Sequence, residues 1–172
     1  DPRRSRTAME SDEWLAIRPN GDALLLAAIA HTILASGKAD VGDHVRAHIA
    51  GFDQLSGALA PFTPEAVGNS IGIDAKTIRR IAGELSAAPT ALVYGRIGTT
   101  TTAFGTTASW LVDVVNIFTG NLVRVGGAMF PLPVAGSANT RGAGGSGKGF
   151  RTGRGHSRVS KYPEVLGEYP AS

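Results

Sequence analysis

The spacing of apolar and polar residues divides the chain into helices and two strand-like runs. The clearest helical pattern is "NGDALLLAAIAHTILASG", in which apolar residues recur every three or four positions. Asp22 can cap the first turn of this helix, and Gly37 can end the last turn in left-handed geometry. Further helices are predicted behind the caps Asp40, Thr63 and Asp74, and another in "TTASWLVDVVNIFTG".

Two short apolar runs without helical period predict strands. They are "EWLAIRP", closed by Pro19, and "TALVYG", closed by Gly95. A strand, a glycine loop and a helix in this order are typical of a βαβ unit. We therefore predict an α/β domain over residues 1–130, with a partial Rossmann-like parallel sheet flanked by helices. Ligands bind at the carboxyl ends of such strands, where "DPRRS" and "GRIGTT" would lie.

Composition limits the classes of protein that fit. The chain has 172 residues, of which 42% are hydrophobic and 18% charged, so it is neither disordered nor built around a bilayer-spanning run. It has no cysteine, which excludes disulfides, thiolate-bound zinc and iron–sulfur ligation within these residues. The net charge of +3 is too small to indicate nucleic-acid binding. Residues 131–172 are basic and rich in glycine and proline, and we predict an irregular segment there.

Two motifs are weak candidates for a metal or phosphate site. His44 and His48 lie one helical turn apart, which is a metal-ligand spacing, but no third ligand is evident and solvated histidines are commoner. The stretch "GAGGSGKG", residues 142–149, matches a phosphate-binding loop except that its last position lacks a hydroxyl. A standalone nucleotide- or phosphate-binding module that uses this loop is therefore the alternative function.

Two other segments are better candidates for a ligand-binding site. The loop "GRIGTTTTAFG" offers glycines for close backbone approach and four consecutive threonine hydroxyls, although a plain polar connection fits it equally well. In "RPNGD", the carboxylate of Asp22 can cap the following helix, or it can accept hydrogen bonds from the edge of a guanine base. The spacing alone does not separate these two uses.

Five segments together resemble the molybdopterin oxidoreductases, the family of formate dehydrogenases, nitrate reductases and dimethyl sulfoxide reductase. They occur in the order of that family across residues 1–130, and they read "DPRRSRTA", "IRPNGDALLLAAIAHTIL", "TPEAVGNSIGIDAKTIRRIA", "YGRIGTTTTAFG" and "NIFTGNLVRVGGAMF". The resemblance implies the α/β domain that grips the nucleotide end of a molybdopterin guanine dinucleotide. The intact enzyme would carry two such dinucleotides on a molybdenum or tungsten ion and would be formate-dehydrogenase-like.

The resemblance also implies which residues contact the cofactor. One group would lie against the guanosine, ribose and phosphates, and consists of Asp1, Pro2, Arg3, Arg4 and Ser5. A second would read the guanine with Asp22 as acceptor, and consists of Asn20, Gly21 and Asp22. A third would approach the pterin side, and consists of Ile97, Gly98 and Thr101. The family often has Gly-Thr-Asp where this chain has Asn20, Gly21 and Asp22, and often has glutamine at the position of Thr101. The aspartate is retained, so the implied role of Asp22 in guanine recognition follows most directly.

The resemblance further implies that this chain is a fragment that is inactive alone. The metal ligand and the cysteines of any iron–sulfur cluster would lie in missing parts of the enzyme. The partners would be the remaining domains of the same catalytic subunit and a small-molecule substrate. We expect no nucleic-acid partner and no transmembrane segment in this chain; the cytoplasm and export both stay open, with the cytoplasm favoured.

Overall fold

A computed structural model describes residues 1–130 and 153–164. Within these ranges the regular elements are helical. They are α1 (Arg6–Met9), α2 (Asp22–Ala35), α3 (Asp43–Arg46), a 3-10 turn (Phe52–Gln54), α4 (Leu55–Leu59), α5 (Pro64–Ile71), α6 (Ala75–Ala87), α7 (Ile97–Thr100) and α8 (Gly105–Phe118). In the described part of the chain, no helix combines the length and apolar character that a bilayer crossing requires.

Helix α2 confirms the strongest periodic pattern, but its start differs from the prediction. Gly21 is the N-cap, Asp22 is the first helical residue, and no side chain caps the helix. The prediction that Asp22 is the cap is therefore wrong, because Gly21 already occupies the flanking position. At the other end, Gly37 has a φ of +67°, and Lys38 N–H donates to Ile33 C=O as in a Schellman motif.

Two of the other predicted caps are confirmed. The Thr63 hydroxyl accepts from the Ala66 N–H at the start of α5, and the Asp74 carboxylate accepts from the Thr77 N–H at the start of α6. The cap at Asp40 is wrong, since the helix there begins only at Asp43. Asp40 instead donates its N–H to Phe118 C=O at 2.8 Å, which ties it to the end of α8.

Helix α2 lies at the centre of the core. It packs against α8, α6, α5 and α4. Ala28, Ala30 and Ile33 are almost completely buried on it, and Phe118 closes one end of the core with its ring 5.8 Å from that of Phe52, edge to face. The small alanines let the surrounding helices approach α2 closely, so the two loops that precede α2 and α8 come near each other.

Neither predicted strand has a strand partner in residues 1–130 or 153–164. The only β-bridges there are isolated ones, between Leu122 and Ala128 and between His156 and Pro163. A strand is defined by a ladder of backbone hydrogen bonds to a neighbouring strand, and these ranges supply only the single bond from Arg18 N–H to Ile71 C=O for the first run and none for the second. The parallel sheet therefore stays a prediction.

The chain divides into two compact units, Asp1–Met129 and Phe130–Ser172. In the second unit, Arg154 and Glu164 form an ion pair with Nη2 and Oε1 at 2.8 Å, and Glu164 is only 2% exposed. The Ser157 N–H donates to Tyr162 C=O, which closes a tight loop between them. The predicted loop at residues 142–149 lies outside the described residues, as does most of the predicted irregular segment.

Candidate functional site

The carboxylate of Asp22 lies at the positive end of α2, where no described residue pairs with it. Its side chain is half-buried, and it forms no hydrogen bond or ion pair with the described part of the chain. It lines a cleft of about 350 Å³ together with Asp1, Ser5, Glu13 and Leu25. The N-terminal dipole of a helix stabilises a negative charge there. Asp22 is therefore an available hydrogen-bond acceptor in a cleft large enough for part of a nucleotide.

Close backbone packing fixes the position of Asp22. The Gly21 N–H donates to Arg18 C=O at 3.0 Å, and the Arg18 N–H donates to Ile71 C=O at 2.9 Å. A Cβ on Gly21 would lie 2.9 Å from the Arg18 carbonyl oxygen and 3.0 Å from Ile17 Cγ1. Only glycine fits here without displacing a neighbour, so the turn that precedes Asp22 is tightly determined.

Internal hydrogen bonds shape the first five residues. The Asp1 carboxylate accepts from the Arg3 N–H at 3.0 Å and from the Ser5 hydroxyl at 3.2 Å. The Ser5 oxygen in turn accepts from the Ala8 N–H and so caps α1. Trp14 Nε1 donates to the Asp1 carbonyl at 2.8 Å and holds the loop against the cleft. Asp1 and Ser5 therefore hold the shape of this loop.

The cations of this loop are exposed. Neither Arg3 nor Arg4 forms an ion pair within residues 1–130 and 153–164, and Pro2 between them and Asp1 is also exposed. The Arg4 guanidinium lies 5.9 Å from the centre of the Trp14 ring. The loop thus presents two uncompensated positive charges beside the Asp22 cleft, a suitable arrangement for phosphate.

The third carboxylate of the cleft is neutralised. Glu13 pairs with Arg80, with Oε1 and Nη2 2.6 Å apart, and Arg80 also binds Glu84. The hydrogen bonds that the Arg80 guanidinium donates to Glu13, and then to Glu84, raise the pKa of Arg80 above its ordinary value. Glu13 is paired and Asp1 is hydrogen-bonded, so Asp22 is the acid of this cleft that has no partner among the described residues.

The threonine-rich loop differs from the expectation of four free hydroxyls. It forms the short helix α7, and every hydroxyl donates back to a carbonyl inside the loop; the acceptors are Arg96 for Thr99, Ile97 for both Thr100 and Thr101, and Thr99 for Thr102. The hydroxyl protons are engaged, so these threonines can offer a ligand only acceptor lone pairs. Ile97 is 73% exposed, and space is open around Gly98.

Asn20 links the turn before α2 to the threonine-rich loop. Its backbone has a φ of +67°, in the left-handed region that few residues other than glycine adopt. Its Oδ1 accepts from the Ala103 N–H at 3.3 Å, 83 residues away in sequence. The structure thus brings Asp1, Ser5 and Asp22 to one cleft and links Asn20 to the threonine loop.

Ile97, Gly98 and Thr101 do not line that cleft. Their neighbours in the loop, Gly95 and Thr99, line a different cleft of about 380 Å³ that also includes Asp113. Burial raises the pKa of Asp113 above its ordinary value. The predicted site residues therefore form two groups, one at the Asp22 cleft and one in the threonine-rich loop. The hydrogen bond from the Ala103 N–H to Asn20 joins these groups.

Sequence reasoning missed two buried asparagines. Asn116 and Asn121 are each 1% exposed. Asn116 Oδ1 accepts from the Val93 N–H at 2.9 Å, and its Nδ2 donates to Val93 C=O at 2.8 Å; Asn121 Oδ1 accepts from the Ala91 N–H at 3.1 Å. The available signal was the polar residue 116 on the otherwise apolar face of α8. These side chains occupy the place of a neighbouring strand along residues 91–93.

The histidine pair has no third metal-ligating side chain grouped with it within residues 1–130 and 153–164. Helix α3 is only four residues long, and His44 Nε2 lies 3.4 Å from the Leu122 carbonyl oxygen. No group of three metal-ligating side chains occurs in the ranges that the structure describes.

Comparison with known proteins points to one class of enzyme. The chain is 34% identical over 128 residues to the thiosulfate reductase molybdopterin-containing subunit PhsA of Salmonella typhimurium, covering 74% of this chain and 17% of that protein. It is 32% identical over 154 residues to the arsenate respiratory reductase molybdopterin-containing subunit ArrA of Shewanella, covering 76% and 18%. It is 28% identical over 143 residues to formate dehydrogenase H of Escherichia coli, covering 83% and 20%. The chain thus spans about a fifth of the length of these relatives.

A solved structure shares the fold. Acetylene hydratase from Pelobacter acetylenicus superposes with a TM-score of 0.65 at 23% identity, over 73% of this chain and 17% of that one. No family model matches the sequence.

Proposed function

This chain belongs to the molybdopterin oxidoreductase family, matching one region of its larger subunits, and we propose that it holds the guanosine end of a molybdopterin guanine dinucleotide. The observation that carries the proposal is the carboxylate of Asp22 at the start of α2, which has no partner in residues 1–130 and 153–164. If Asp22 were the N-cap, its carboxylate would accept from a backbone N–H of the helix. Because Gly21 is the N-cap, the carboxylate is available to a ligand.

Guanine suits this acceptor because its N1–H and N2–H donors lie side by side. A carboxylate can accept both in a bidentate, charge-assisted pair, whereas adenine presents an acceptor at N1. Gly21 lets the backbone come close at this point, and Asn20 fixes the adjoining turn through its bond to Ala103. These residues would select guanine over adenine.

The exposed arginines would serve the rest of the nucleotide. Arg3 and Arg4 carry no competing ion pair among the described residues and lie on the loop that borders the Asp22 cleft. Guanidinium groups bind phosphate through paired N–H donors. Asp1, Pro2 and Ser5 would set the shape of that loop, and Ile97, Gly98 and Thr101 would approach the pterin side.

The cofactor, when bound, supplies the redox chemistry of its molybdenum or tungsten ion. This chain would bind and orient it, in the bis form with two dinucleotides on one metal. Any iron–sulfur cluster, the metal ligand and the substrate contacts would come from other parts of a longer catalytic subunit, formate-dehydrogenase-like in activity. This region alone would have no turnover.

The proposal includes the parallel sheet expected from the sequence. Asn116 and Asn121 satisfy residues 91–93 on one side. The backbone N–H and C=O groups of Leu92 and Tyr94, which alternate to the opposite side of an extended chain, have no partner in the described ranges. Such an edge suits pairing with a strand from elsewhere in the longer protein.

Nucleotide titration tests the proposal. GDP and ADP are titrated into the chain and into Asp22→Asn, with calorimetry as the readout. We expect GDP to bind more tightly than ADP, and the substitution to weaken GDP by about tenfold or more, since a bidentate base contact contributes about 1–3 kcal/mol.

Asp43→Asn is the matched control. Asp43 also opens a helix directly behind a glycine N-cap and makes no cap hydrogen bond, but it does not line the Asp22 cleft. Its substitution should leave GDP affinity unchanged. Equal affinity for GDP and ADP in the unsubstituted chain, or equal losses in the two variants, would refute guanine recognition by Asp22.

A further inference from the structure

Asn116 makes an unusual contact for a residue in the middle of a helix. Its amide binds both backbone groups of Val93, with the Val93 N–H donating to Oδ1 at 2.9 Å and Nδ2 donating to Val93 C=O at 2.8 Å. The second Nδ2 hydrogen goes to Val112 C=O at 3.0 Å. Each of these groups is satisfied, and Asn116 is only 1% exposed. A side-chain amide supplies the one acceptor and the two donors that these contacts use.

Val93 leads directly into the threonine-rich loop. Gly95 follows two residues later, where a Cβ would lie 2.8 Å from the Thr99 hydroxyl, so the loop folds back tightly on the segment that Asn116 holds. At the far end of the loop, the Ala103 N–H donates to Asn20. Asn20 has a left-handed backbone and lies two residues before Asp22. A continuous path of hydrogen bonds and tight backbone thus connects Asn116 to the turn that presents Asp22.

We propose that Asn116 is a positioning residue, which fixes the threonine-rich loop through Val93 and, through Ala103 and Asn20, holds the turn that aims Asp22. The proposal rests on the proposed guanosine function. It adds that guanine affinity depends on a buried amide that does not touch the nucleotide.

Two substitutions separate positioning from simple packing. Asn116→Leu removes the donor and the acceptor. Asn116→Asp keeps the shape and the acceptor but sets a carboxylate against the carbonyls of Val93 and Val112. We expect burial, these carbonyls and the Asp113 carboxylate in the same cleft to raise the pKa of the introduced carboxyl. Tyr94 is the other titratable residue that lines this cleft. Once protonated, the carboxyl regains a donor, so the contact to Val93 is restored at low pH.

The first readout needs no ligand. Amide hydrogen-exchange protection factors are measured by NMR on the full chain at about pH 5 and about pH 8, on either side of a raised carboxyl pKa. At the higher pH we expect Asn116→Asp to reduce protection at Val93 and Ala103 by about tenfold more than at Ile29 in the core of α2. The greater loss of protection at Val93 and Ala103 than at Ile29 should vanish at the lower pH in Asn116→Asp and persist in Asn116→Leu. An equal loss in the loop and in α2 would show a merely structural role and overturn the proposal.

The second readout is GDP affinity at the same two pH values, with the unsubstituted chain as reference for the titration of Asp113. The Asn116→Asp variant should lose affinity at the higher pH and regain it at the lower one. Asn69→Asp is the control, because Asn69 is exposed and its side chain forms no hydrogen bond with the residues that the structure describes. Unchanged GDP affinity despite a loosened loop overturns the coupling to Asp22.

The two readouts distinguish the failures. If the unsubstituted chain binds no GDP, the guanosine function fails while the exchange data still decide whether Asn116 fixes the loop. If neither variant folds at the higher pH, Asn116→Asp must fold at the lower pH where Asn116→Leu does not. Failure of both at the lower pH overturns the proposal.

Discussion

The substitution of glycine by alanine should lower the stability of the chain at one position and raise it at another. At Gly21 the added methyl would meet the Arg18 carbonyl oxygen at 2.9 Å, Ile17 Cγ1 at 3.0 Å and Ile71 Cγ2 at 3.1 Å. At Gly83, inside α6, nothing lies within 4 Å of an added Cβ. Overpacking costs about 1–3 kcal/mol, whereas alanine in a helix interior gains about 1 kcal/mol over glycine.

The assay is thermal unfolding followed by circular dichroism. For a chain of this length, 1 kcal/mol corresponds to about 2–4 °C in Tm. Gly21→Ala should therefore lower Tm by about 2–12 °C, and Gly83→Ala should raise it by about 2–4 °C. Gly21→Ala should also weaken GDP binding, because relief of the overlap displaces Asp22. A Gly21→Ala protein with unchanged Tm and GDP affinity would refute the tight turn that we describe before α2.

Three further predictions concern stability. Phe104 has a φ of +62° and is 75% exposed, so Phe104→Asn should raise stability by about 1 kcal/mol in urea unfolding. Hydrogen bonds from the Thr77 hydroxyl and N–H lower the pKa of Asp74 below 3.8, so Asp74→Ala should destabilise the protein at neutral pH, and the deficit should shrink as the pH falls through that lowered value. A constant deficit down to acid pH would contradict this cause. Burial raises the pKa of Asp113, so Asp113→Asn should be stabilising above that pKa and neutral well below it, as measured by Tm against pH.

Local signals in the sequence predicted the helices well. A hydroxyl or carboxylate before an apolar periodic stretch correctly located the starts of α5 and α6, because the capping bond at Thr63 and Asp74 involves residues only three apart. The same logic was wrong at Asp22 and at Asp40. A glycine already stood at the N-cap in the first case, and a contact to α8 engaged the backbone in the second.

Long-range contacts could not be predicted from the sequence. The bond between Ala103 and Asn20 joins residues far apart in the chain, and so does the contact of Asn116 with Val93. The threonines of the loop look like free donors in the sequence, yet their protons return to the loop's own carbonyls, because α7 forms a single helical turn. A β-strand needs a partner to be recognised, so the expected sheet stays a prediction.

The most direct measurement of the central claim compares GDP with IDP, which lacks only the N2 amine of guanine. If Asp22 accepts from both N1–H and N2–H, removal of the amine should weaken binding to the unsubstituted chain by about tenfold. The same removal should make no difference to Asp22→Asn if the charge-assisted pair is already lost. Equal affinity of the unsubstituted chain for GDP and IDP would contradict the assignment of Asp22 as the residue that reads guanine.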